Sequence, residues 1–152
     1  MIDRQLASFL EEGLSIHIGT RNADLHPSGS RAAAVSIDAD GLHATVYVPD
    51  LGASRLLPDL ESNGQAAVSF GRPVDDRACQ FKGTVTTIRG ASPDERPLIS
   101  AQWQGFMRQL ELIGISPELA LGWAFWPAVA IRMRVTAVFE QTPGPLAGTP
   151  LK

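Results

Sequence analysis

Two arginines, a serine, a glutamine and a lysine stand where they could take a charged ligand. Ser54 opens a segment that reads as a helix, and Arg55 follows it. A helix start offers oriented amide N–H groups. With a hydroxyl and a guanidinium beside them, those amides suit a phosphate-type dianion. Arg31, on a neighbouring predicted strand, could converge on the same place. The plainer reading makes Ser54 a helix cap and Arg55 a solvated charge. Gln80 and Lys82 share one face of another predicted strand, two residues apart. An amide beside an ammonium can hold the polar edge of a heterocycle, and a solvated strand face is the alternative. Arg132 and Arg134 repeat this spacing on the last strand and read first as surface or subunit-contact residues.

Other chemistries find less support. His17, His26 and His43 have no metal-ligand spacing. Cys79 is the only cysteine. It shares a face with Phe81 and Val85, which predicts a buried, inert thiol. Ser15, Ser28, Ser30 and Ser69 lack a G-x-S-x-G setting, so hydrolase chemistry has no footing. Trp103 and Phe106 read as helix core. Trp123, Phe125 and Trp126 precede Pro127, either as a core or interface corner or as a wall for a planar ring.

The elements that must position these residues come from a chain of 152 residues, 44% hydrophobic and 19% charged, with formal net charge −3. That length suits one domain, and the composition excludes wholesale disorder. The acidity argues against nucleic-acid binding, which calls for a basic excess. No stretch reaches the roughly 18 apolar residues that span a bilayer. No leader pattern is visible either, so a cytoplasmic protein with no membrane partner is expected.

A short helix with Asp3 as N-cap and Gly13 as its stop comes first. Period-2 alternation then predicts strands over 14–20, 28–38, 42–48, 65–70, 77–89 and 128–139. Asp40 and Gly41 mark a hairpin. A helix over 54–63 has Ser54 as N-cap and Gly64 just past its end, which puts Pro58 in the first turn. Ser92 to Glu95 is a capping box that opens a helix running to about Ile113, and Ser116 starts another helical turn. The expectation is a mainly β fold: a six-stranded antiparallel split β-barrel flanked by helices. It occupies residues 1–140, followed by a Pro/Gly-rich tail, 141–152, taken as extended or mobile.

The order and spacing of four pieces carry a resemblance. They are Ser28, Gly29, Ser30 and Arg31 entering a strand; Val46 to Pro49 followed by Ala53, Ser54 and Arg55; Leu60 to Gly64 before the strand from Ala66; and Gln80 to Gly83. Over residues 14–85 the chain resembles the pyridoxamine 5′-phosphate oxidase-like family of FMN-binding split barrels. The resemblance implies a homodimer with FMN at the interface. It implies phosphate contacts from Arg31, Ser54 and Arg55, and a flavin contact from Gln80; Lys82, on the same strand face, would add its ammonium there by position alone. The pattern departs at Ser36, where the family often has lysine, and at Leu56, where a second basic residue often stands. It departs also at Ala78, the family's usual glutamine position. The substrate signature of the true oxidase is not evident near the C-terminus, so pyridoxine 5′-phosphate oxidation is not expected. What the resemblance implies is a flavin-dependent oxidoreductase acting on a small molecule. The alternative is a non-catalytic protein holding flavin, haem or another planar ligand on the same fold.

Overall fold

The computed structural model describes residues 1–120 and 122–151. Helix α1 (Arg4–Leu10) starts on Asp3, whose carboxylate accepts the Leu6 N–H at 2.8 Å. Seven strands follow: β1 (Ser15–Arg21), β2 (Pro27–Ala32), β3 (Ala34–Ile37), β4 (His43–Pro49), β5 (Gln65–Gly71), β6 (Ala78–Gly90) and β7 (Ala128–Glu140). Helix α2 (Asp50–Asn63) lies between β4 and β5, and α3 (Arg96–Leu112) between β6 and β7. All strands join one antiparallel sheet in the order β2-β1-β5-β6-β7-β4-β3. The two ends of that order, β2 and β3, are neighbours in the chain, so the sheet curls into a split barrel.

The alternation seen in the sequence points Ile16, Ile18, Val68, Phe70, Phe81 and Met133 into the barrel. Helix α2 adds Ala53, Leu56 and Leu60 to the same core. Each of the larger of these side chains contributes roughly 1.5–3 kcal/mol when fully buried. A second cluster lies under α3, where Ile99, Trp103 and Phe106 meet Ala33, Ala34 and Tyr47. Cys79 is buried, and desolvation pushes its thiol up to about 12, as expected of an inert cysteine. Among the described residues, no helix is long and apolar enough to cross a membrane.

Two expected elements are corrected. The strand over 28–38 is two strands, which makes seven rather than six. The break falls at Ala33, where the alternation slips: Ala32 and Val35 both enter the barrel core, while Ala33 and Ala34 face α3. The bend lets one stretch of chain serve both ends of the sheet. The second correction moves the start of α2 from Ser54 to Asp50, with Pro49 as N-cap. Strand β4 therefore runs directly into the helix. Pro58 consequently lies in the helix interior, where it leaves the Ser54 carbonyl without its helical partner. Both residues are exposed, so water can take that carbonyl.

Other local signals hold. Gly64 ends α2 at φ 66°, a left-handed conformation that favours glycine. The Asp40 carboxylate accepts the Leu42 and His43 N–H groups at 2.7 and 3.1 Å and closes the hairpin. The tail after Gln141, expected as extended or mobile, instead turns back on β7, where backbone bonds hold it: the Leu151 N–H donates to the Val138 carbonyl at 2.8 Å.

The capping box at Ser92 is the centre of a larger network. Glu95 accepts from the Ser92 N–H at 2.7 Å, from both terminal nitrogens of Arg89 at 2.7 and 2.8 Å, and from the Tyr47 hydroxyl at 2.9 Å. These donors, Arg89 foremost, hold the Glu95 carboxyl at about 2 against an ordinary 4.5. A depressed folded pKa contributes stability that is present above the unfolded value and lost as pH falls through the folded one. Between about pH 4.5 and 2, the native chain is therefore expected to lose stability relative to Glu95→Gln. The loss should be on the order of 1 kcal/mol, since Arg89 is half exposed and screened. Urea melts of both proteins across that range check it, and parallel curves would refute the network's role.

Candidate functional site

Strands β2, β1, β5 and β6 bury one face in the barrel and turn the other outward. On that outer face the register builds two rows across four strands. In one row Arg31 stands opposite His17, His17 opposite Ser69, and Ser69 opposite Gln80. In the next, Gly29 stands opposite Gly19, Gly19 opposite Ala67, and Ala67 opposite Lys82. Directly opposed residues project to the same side, so a polar row borders a floor of very small side chains.

The polar row, the glycines and Arg55 of α2 line one open groove of about 620 Å³. No carboxylate is among its lining residues. Gln80 is oriented by its Nε2 donating to the Ser69 hydroxyl at 2.9 Å. The Arg31 guanidinium carbon lies 4.4 Å from the Trp123 ring centre and 5.3 Å from that of Phe106. Among the described residues, its guanidinium makes one hydrogen bond, a long one to the Ser15 hydroxyl at 3.4 Å. Among the described residues, no acid lies within ion-pair distance of Arg31 or Arg55. Partial burial draws the Arg31 pKa below its ordinary value. Burial, and then the Arg31 charge, lower that of His17, so its imidazole favours the neutral form.

Of the five residues expected to bind a cofactor, the structure brings Arg31, Arg55 and Gln80 to this groove. Lys82 lines an adjoining groove of about 490 Å³ that shares Gly19 and Ala67 with the first. Its ammonium lies 5.0 Å from the Phe139 ring centre. Ser54 lines neither groove. It sits inside α2, where its hydroxyl donates to the Leu51 carbonyl at 3.0 Å. The helix start at Asp50 places an acid in the first turn, which opposes an anion there. The expected cradle of Ser54 and a helix N-terminus is therefore replaced by guanidinium groups from a strand and a helix flank. The sequence reading discounts His17 and Ser69 and does not single out Gly19, Gly29 or Ala67 as site residues. The alternation of Ile16, His17, Ile18 and Gly19 already carried the signal that this face is shared.

Elsewhere, Asp38, Asp40 and His43 bring ligand-type atoms within 4.8 Å of one another. Each already has a structural task. Asp38 pairs with Arg132 at 2.5 Å, and Asp40 binds the hairpin amides and His43 Nδ1, the latter at 2.7 Å.

No protein-family model matches the sequence, and no curated protein matches it. Solved structures do. HupZ of Group A Streptococcus superposes with a TM-score of 0.57 at 19% identity, over 97% of this chain and all of that one. A candidate pyridoxamine 5′-phosphate oxidase of Lactobacillus delbrueckii gives 0.54 at 11% identity, covering 90% and 92% of the two chains. The fold is the split barrel of pyridoxamine 5′-phosphate oxidase-like proteins. An FMN-binding protein of Syntrophomonas wolfei shares this split barrel, with a TM-score of 0.53 at 10% identity over 90% of this chain and 86% of that one. At these identities the likeness establishes the fold.

Proposed function

We propose that the chain is a flavin-binding split-barrel protein of oxidoreductase type that holds FMN in the groove of Arg31, Arg55 and Gln80. One observation carries the reading: two guanidinium groups, without acid partners among the described residues, line a groove free of carboxylates, beside a floor of Gly19, Gly29 and Ala67. A phosphate dianion needs such charge-assisted donors, and a planar ring needs such a floor. The glycines are not demanded by packing. A Cβ at Gly29 would meet the Ile18 carbonyl at an ordinary 3.6 Å, and one at Gly19 would meet the Ser28 carbonyl at 3.9 Å. The donor set therefore fits the group.

Bound FMN would supply the electron-transfer chemistry. The residues of this chain bind and orient it. Arg31 and Arg55 neutralise the phosphate. The Gln80 carboxamide, fixed by Ser69, presents its free oxygen to an N–H donor. His17, kept neutral beside Arg31, adds a ring nitrogen without adding charge. The groove is open on its outer side, and a second copy of the chain in a two-fold homodimer would close it. Light scattering is expected to give twice the mass of one chain.

Arg55→Ala is expected to weaken FMN binding by about 1.5–3 kcal/mol, the range for hydrogen bonds to charged groups. That is roughly a tenfold to hundredfold loss of affinity. The fold should survive, because Arg55 is exposed. Fluorescence titration of FMN into both proteins checks this, and equal affinities would move the site elsewhere.

A second reading draws on Lys82, whose ammonium lines the adjoining groove and not that of Gln80. Without a cation beside the ring to stabilise a reduced flavin, the chain would be a non-catalytic holder of flavin, haem or another planar ligand. The absorbance spectrum of the purified protein separates flavin bands from a haem Soret band.

A further inference from the structure

The adjoining groove has the same electrostatic character as the first. Arg21 and Lys82 line it with Thr84, Thr136 and Gln65, and no carboxylate is among its lining residues. The chain as a whole carries 16 acidic residues against 13 basic ones. Two neighbouring grooves with four basic residues and no acid are therefore a local reversal of the protein's charge.

Neutral groups hold Arg21 in place. Its Nη2 donates to the Gln65 carboxamide oxygen at 3.0 Å and its Nη1 to the Asn22 carbonyl at 3.1 Å. The Asn63 carboxamide in turn donates to the Arg21 carbonyl at 2.7 Å, which ties the strand end to α2. Lys82 stands over the Phe139 ring face. Neither cation has an ion-pair partner among the described residues. A guanidinium fixed by neutral acceptors keeps its full charge and has further donors to offer. The Thr136 hydroxyl donates to the Lys82 carbonyl at 3.1 Å, while among the described residues no bond occupies that of Thr84. The two grooves meet over Gly19 and Ala67, so ligands in them would lie side by side.

We infer that the groove of Arg21 and Lys82 is a second oxyanion subsite, which holds the phosphate or carboxylate group of the small molecule that exchanges electrons with the flavin. This inference rests on the flavin reading for the first groove and adds the substrate class: an anionic small molecule. It also gives Lys82 a different role from the ring contact expected from its place beside Gln80 on one strand face.

Calorimetric titration of inorganic phosphate, and separately of acetate, into the FMN-saturated protein tests it, because bound FMN excludes either probe from the first groove. At least one probe is expected to saturate the wild type, and which one does so tells a phosphate subsite from a carboxylate one. Arg21→Met and Lys82→Met are each expected to lose about tenfold or more of that affinity. FMN affinity in Arg21→Met should stay within about twofold, well inside 1 kcal/mol. Thermal melts of both variants confirm that the barrel is intact. Saturation by neither probe overturns the inference. So does unchanged probe affinity in both variants, or a loss of FMN affinity in Arg21→Met as large as in Arg55→Ala. A wild type that binds no FMN defeats the flavin reading instead, and the same titrations on the FMN-free protein then decide the subsite by the same criterion.

Discussion

Gly83→Ala is expected to destabilise the protein by about 3 kcal/mol, at the upper end of the usual overpacking range. A Cβ at this position would lie 2.1 Å from the Arg134 carbonyl oxygen and 2.9 Å from the Met133 methyl carbon. The nearer atom is backbone, so no side-chain rotation relieves the clash. Gly83 also sits where the pairing of β6 with β7 shifts register, a place where glycine lets two backbones approach closely. Relief would require β6 and β7 to separate at the centre of the sheet. The melting temperature should fall by roughly 6–12 °C for a domain of this size. A fall of less than about 2 °C would show that the register shift absorbs the methyl group.

Gln102→Leu is expected to cost about 2–6 kcal/mol, because it strands two buried backbone groups at about 1–3 kcal/mol each. Strand β3 is an edge of the sheet, and on its free side Val35 has an N–H and a carbonyl with no neighbouring strand. Gln102 of α3 supplies both partners: its Oε1 accepts the Val35 N–H at 3.0 Å and its Nε2 donates to the Val35 carbonyl at 2.7 Å. The side-chain amide thus stands where a peptide group of another strand would stand. At 6% exposure it leaves no room for water to take over. Gln102→Glu keeps an acceptor for the N–H but sets a carboxylate oxygen against the carbonyl, so it should be no milder. Equilibrium urea unfolding measures both variants, and faster hydrogen exchange at Val35 in Gln102→Leu is the local signature. Unchanged stability in Gln102→Leu would mean that the strand edge finds another partner.

Much of this architecture is written in local chemistry. Asp3, Gly64, Asp40 with Gly41, and Ser92 with Glu95 each fix a turn or helix end through bonds to their nearest neighbours, and each does what its residue type predicts. The misplaced features depend on partners far away in the chain. Ala32, Ala33 and Ala34 carry no polar residue to mark an inner and an outer face, so the bend that splits the predicted strand leaves no trace in the pattern. Ser54 has the right chemistry for a cap. The helix nevertheless starts at Asp50, because β4 ends at Pro49, where β7 pairs with it at Ala128. Gln102 resembles any polar helical residue, and only the edge of β3 gives it a task. The candidate site was legible in part for the same reason. Arg31, Arg55 and Gln80 could be picked out by type and order. The rows that join His17, Ser69, Gly19 and Ala67 to them exist only through strand register.

The place of β7 in the sheet has a consequence for how the barrel is made. β7 is the last strand in the sequence, yet it lies between β6 and β4 and, among the described residues, carries the strand pairing that joins β2-β1-β5-β6 to β4-β3. Until residues 128–140 have left the ribosome, the earlier strands can form only two ribbons, joined through Ala33 but not paired with each other, and β6 and β4 each keep an unpaired edge. Closure is therefore a late event, and it joins residues as far apart in the chain as Ala44 and Met133. Such distant pairings place the barrel among the slower folders, in the range of milliseconds to seconds. During that interval the free edges of β6 and β4 are open to strands of other nascent chains.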